Sequence, residues 1–220
     1  MLGKTHIVFG GVIGLTTGVI LSTSSTPILG VVGMTAGSCF GALMPDVDAD
    51  ESIINKKKGI VGDIIAKHVK HRTTTHTIYA LVIFSAILFL LKKIIINIPL
   101  LVSVLLASSI AWLCNATFGD ILDNYTPNKK VVNAHIILAI ILAAVFVLNM
   151  DYSELVLEQY LIGLSLGYAS HLFADCCTVS GCPLFSKKDI NFMSLRTGKH
   201  DKYFIIFSII IAICLLILLI

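Results

Sequence analysis

Charged residues are scarce in this chain: Asp, Glu, Lys and Arg make up 13% of its 220 residues. An ordinary soluble domain carries roughly 25%. A conventional water-facing surface is therefore excluded. With 56% hydrophobic residues and a mean hydropathy of +0.93, the chain is solvated by lipid. Phosphate-binding glycine loops are missing too, so nucleotide hydrolysis lacks its sequence element, and a serine nucleophile is not expected. The six cysteines show no common zinc spacing: Cys39, Cys114 and Cys214 fall in or beside apolar runs and read as packing residues, while Cys176, Cys177 and Cys182 read as structural thiols. The first apolar run has no A-x-A-like cleavage site before the next begins, and is expected to be retained.

What is present is a series of long apolar runs. A helix needs roughly 17–25 apolar residues to cross a bilayer. Runs near 6–22, 27–44, 76–96, 98–114, 132–149, 154–174 and 203–220 predict an all-α, polytopic transmembrane helix bundle of about seven spans. Residues 1–220 form a single integral membrane domain, with loops at 45–75 and 175–202. The first two runs are rich in Gly, Ser and Thr, which lets helix backbones approach closely. Lys92 and Lys93 are expected to end the third span near Leu91.

Fourteen of the sixteen Lys and Arg residues fall on one side of this topology, and only Lys92 and Lys93 on the other. By the positive-inside rule the N-terminus and the loops 45–75, 115–131 and 175–202 are cytoplasmic, in the plasma (inner) membrane. The run Lys56-Lys57-Lys58 reads as a contact for anionic lipid headgroups, and no direct nucleic-acid binding is expected. Residues 49–70 read as an amphipathic interfacial helix, on Ile60, Val61, Ile64 and Ile65.

Four polar motifs meet at that same face. His6 opens the first helix; Asp46 and Asp48 follow the second; His71, Arg72 and His76 precede the third; His171 and Asp175 close the sixth. The spacing of four puts His171 and Asp175 on one helix face. Asp46 and Asp48 would point the same way from an extended segment. Imidazole with carboxylate suits zinc, manganese or iron better than magnesium. The metal ligands expected are His6, Asp46, His76, His171 and Asp175, with Asp48 or His71 bridging or acting as base and Arg72 stabilising negative charge. So many donors allow two ions, which would clamp the attacking and leaving oxygens of a hydrolysis. His68, His135 and His200 have no such partner pattern.

In order, Thr5-His6, Met44-Pro45-Asp46-Val47-Asp48, His71-Arg72-x-x-x-His76-Thr77 and Gly167-Tyr168-x-Ser170-His171-x-x-x-Asp175-x-x-Thr178 resemble the LexA-binding, inner-membrane-associated hydrolase family. Its members are described as predicted membrane-bound metal-dependent hydrolases. Where the family has L-P-D-x-D, this chain has Met44 in place of the Leu; where the family tends to T-G-S followed by Glu, it has Thr197-Gly198-Lys199-His200-Asp201. The resemblance implies a membrane-embedded metal-dependent hydrolase with a divalent cofactor, zinc or manganese foremost. Lying at headgroup depth on a basic face, the site suits a phosphoester of a lipid or membrane-associated substrate. The alternative is a transporter or a non-catalytic metal-binding membrane protein. It is disfavoured because the motifs lie at one surface and no internal repeat is visible.

Overall fold

A computed structural model describes residues 2–21, 28–49, 52–53, 73–95, 104, 107–109, 153–185 and 188–218. The elements that carry the site are five helices: α1 (Gly3–Leu21), α2 (Ile28–Gly41), α3 (Ile78–Ile95), α4 (Ser153–Cys176) and α5 (Asp201–Leu218), with a 3-10 turn, Pro45–Asp48, after α2. Among the described residues there is no strand, only isolated bridges pairing Thr178 with Leu195 and Cys182 with Ile190. Among the described residues, three stretches are long and apolar enough to cross a membrane: Gly3–Leu21, Ile28–Asp48 and Ile78–Ile95. These correspond to three of the seven expected spans. Helices α4 and α5 coincide with two more by position, while 98–114 and 132–149 lie almost wholly outside the described residues. So does the expected amphipathic segment at 49–70, apart from residues 49, 52 and 53.

Glycine determines how closely the helices approach. On α2, Gly33, Gly37 and Gly41 recur every four residues, as do Gly163 and Gly167 on α4. A Cβ on Gly37 or Gly41 would collide with the backbone carbonyl of Tyr160 or Leu164, and one on Gly163 or Gly167 with that of Met34 or Ser38. The two helices therefore touch backbone to backbone, as small-x-x-x-small pairs do in membranes. Helix α1 joins them through Gly10 and Gly14, where a Cβ would stand 2.7 Å from the Ser38 carbonyl and 2.6 Å from the Ser38 Cβ. Val156, Leu157, Tyr160, Leu161 and Leu164 of α4 extend the core, with Phe84 and Leu88 of α3 packed against them.

Helix α3 continues past Lys92 and Lys93 to Ile95 instead of ending near Leu91. The ammonium of Lys92 pairs with Glu158 of α4 at 3.1 Å, so the charge is satisfied alongside the helix. A second departure concerns Pro45–Asp48, expected as extended chain. Proline's fixed φ and missing N–H suit the first position of a helical turn. The segment curls into a 3-10 turn, and the two carboxylates fan apart.

Candidate metal centre

The helix ends converge. The glycine stripe of α4 continues at the same spacing of four into His171 and Asp175, and that of α1 runs back from Gly10 to His6. Close approach of the three backbones thus brings His6, His171 and Asp175 to one place, all buried. The His6 and His171 rings stack with centroids 3.8 Å apart, and His6 Nε2 lies 3.4 Å from Asp175 Oδ1. From the turn after α2 comes Asp46, and from the segment before α3 comes His76, which is fully buried.

Hydrogen bonds define the tautomers. His171 Nδ1 donates to the Ala42 carbonyl at 2.7 Å, leaving a lone pair on Nε2. The Thr75 hydroxyl donates to Asp48 Oδ2, so its oxygen accepts from His76 Nδ1 at 3.0 Å. Asp48 Oδ2 itself stands 3.7 Å from that nitrogen. The Tyr168 hydroxyl holds the Thr75 carbonyl, and the Cys182 thiol donates to the His76 carbonyl at 3.1 Å. His76 therefore also presents a lone pair on Nε2.

Those two Nε2 atoms face each other at 3.3 Å. Asp46 Oδ1 is 3.6 Å from both, and Asp175 Oδ2 is 3.5 Å from His76 Nε2 and 3.6 Å from His171 Nε2. Two lone pairs aimed at one another with carboxylate oxygens on either side repel unless a proton or a metal ion lies between them. Ligands held about 2.0–2.2 Å from a tetrahedral ion stand about 3.3–3.6 Å apart, which matches these separations, and the donors form two groups sharing His171: Asp46 with His76 and His171, and His6 with His171 and Asp175. His6 Nδ1 is a buried ring nitrogen with no hydrogen-bond partner. The residues present therefore fit a divalent metal.

All five expected ligands meet here. Asp48 does not face the paired Nε2 atoms; its carboxylate lies behind His76. His71 and Arg72 lie outside the described residues. Sequence reasoning assigned no role to Thr75, Tyr168 or the Ala42 carbonyl. The first two stand within the quoted motifs, but a backbone carbonyl leaves no signal in a side-chain pattern. Asp201, the nearest acid in the Thr197-Gly198-Lys199-His200-Asp201 segment, is a clamp: its carboxylate accepts from Leu2 N, the Thr5 hydroxyl and Gly198 N, tying α5 to the start of α1 beside His6.

A G-x-S-x-G spacing that sequence reasoning missed is present but lacks its structural context. Gly163-Leu164-Ser165-Leu166-Gly167 has the G-x-S-x-G spacing of a nucleophile elbow, which requires a strand-to-helix turn. Here it lies in mid-helix, with Ser165 bonded to the Leu161 carbonyl and to Ser85.

Residues 1–128 match the model of a family described as YdjM inner membrane protein. Among curated proteins, an uncharacterized protein of Bacillus subtilis (strain 168), YvsG, is 23% identical over 217 residues, covering 97% of this chain and 92% of the relative. No solved structure matches.

Proposed function

The chain belongs to the YdjM inner membrane protein family, and from that premise we propose that it is a metal-dependent hydrolase whose site opens at the cytoplasmic face of a seven-span bundle. The observation that carries this reading is the pair of opposed Nε2 lone pairs, flanked by Asp46 and Asp175. His76, His171, Asp46 and Asp175 would hold zinc. Asp175 turns its other oxygen to His6, extending the donor set toward a second ion. When bound, the metal supplies Lewis acidity toward an ester or phosphoester oxygen.

The remaining residues orient and shield. Ala42 fixes the ring of His171, and Thr75 with Asp48 fixes that of His76, as outer-shell partners of metal-binding imidazoles do. We assign Asp48 this positioning role. The side chains of His6, His76, His171 and Asp175 are at most 2% exposed, whereas that of Asp46 is 17% exposed. Substrate would therefore approach on the Asp46 side, where a membrane-associated phosphoester suits both headgroup depth and the basic loops. A transporter would place such donors near the midplane, whereas these stand at helix ends.

The test is elemental analysis of purified protein beside His171→Ala and Asp46→Ala. We expect stoichiometric zinc in the parent, absent from both variants, and zinc-dependent turnover of a phospholipid or phosphodiester. A parent that takes up neither zinc nor manganese after reconstitution would sink the proposal.

A further inference from the structure

A second feature lies on the flanking face of α1, toward α5. Between α1 and α5 runs a groove of about 820 Å³, lined among others by Phe9, Ile13, Ile20, Phe204, Ile211 and His200. That volume falls in the range of ligand pockets, about 300–1,000 Å³. From Phe9 to Ile20 it follows α1 for about 16 Å, at ~1.5 Å per residue. Its walls are mainly apolar along the helices, where the Thr16 and Ser208 hydroxyls are turned onto the Val12 and Phe204 carbonyls of their own helices, and its titratable group, His200, lies at the end where α5 begins. There His200 Nδ1 accepts the Arg196 N–H at 3.0 Å, so the neutral ring carries its proton on Nε2 and is a donor. Arg196, Lys199 and Lys202 are exposed around this end. Lys202 Nζ stands 5.1 Å from the ring centroid of Tyr203, which also lines the groove. Asp201, beside them in sequence, is buried and engaged by Leu2, Thr5 and Gly198.

We infer that this groove binds one anionic phospholipid, with an acyl chain between α1 and α5 and the phosphate at His200, Arg196, Lys199 and Lys202. An apolar channel beside a membrane-spanning helix suits a hydrocarbon chain, and the cations at its mouth complement a negative headgroup. Exposed Phe185, Phe192 and Met193 suit the same interface. Phe9, Ala174 and Cys177 pack together on the α1–α4 side of the groove. The lipid is thus held apart from the His/Asp cluster and is not the reacting substrate.

The probe is native mass spectrometry of the full chain after exchange into nanodiscs of phosphatidylglycerol or phosphatidylcholine. The parent should retain one phosphatidylglycerol, about tenfold in preference to phosphatidylcholine. Ala212→Trp, which fills the groove from α5, should lose the adduct, and so should Ile13→Trp, which fills it from α1. A triple Arg196→Ser, Lys199→Ser, Lys202→Ser variant should keep a lipid but lose the preference. Circular dichroism and metal content report folding and the cluster separately, so failure of either proposal leaves the other readable. Equal retention of both lipids by the parent, or an undiminished adduct in whichever groove-filling variant folds, would overturn the inference.

Discussion

At the scale of single residues, the candidate centre depends on which nitrogen of each imidazole holds the proton. Thr75 carries much of that burden, because its oxygen accepts from His76 Nδ1 while its hydrogen goes to Asp48. Thr75→Val keeps the shape and removes both bonds. It should weaken zinc binding about 10–100-fold with helix content unchanged, as read by competition with a chromogenic chelator. Undiminished affinity would remove Thr75 and Asp48 from the positioning role. The motif residues were legible in sequence because buried His and Asp are costly in an apolar chain and stand out. Their division of labour was not, since the 3-10 turn at Pro45–Asp48 turns Asp46 toward Nε2 and Asp48 toward Nδ1.

Among the elements, the α2–α4 contact deserves the sharpest test. Gly167→Ala puts a methyl group onto the Ser38 carbonyl, whereas Gly30→Ala meets only Gln159 Cγ at 3.5 Å. The first should lower stability by about 3 kcal/mol and reduce bound metal with it, because His171 follows one turn later on the same stripe. Thermal unfolding in detergent should leave Gly30→Ala near the parent. Similar midpoints for the two variants would mean the helices are not held this closely. Three of the seven expected spans and the small-residue content were readable from the sequence, and so was the placing of His171 and Asp175 on one helix face. Pairing α2 directly with α4 was not, since it joins segments more than a hundred residues apart.

Viewed as a whole, the molecule gathers its candidate ligands at one end of the bundle and the Lys92–Glu158 pair at the other. The proposed cytoplasmic placement of the ligand end is checked with Lys199→Cys, an exposed position. Cys176, Cys177 and Cys182 are buried, and burial pushes the Cys177 thiol up, which keeps it protonated and unreactive near neutral pH. In a Cys214→Ser background, an impermeant maleimide should label position 199 in inverted vesicles and not in intact cells. Labelling of intact cells would reverse the orientation.

Hydropathy and the alternation of helix ends were enough to establish a membrane bundle with His6, Asp46, His76, His171 and Asp175 at one end. Both are local properties, read along the chain one span at a time. Tertiary structure decided the rest: the 3.3 Å approach of two imidazole nitrogens, the Ala42 carbonyl that orients one of them, and the groove between α1 and α5. Each depends on how closely two helices pack. That distance follows from glycines meeting backbone carbonyls on another helix, and no single segment of the sequence contains both partners.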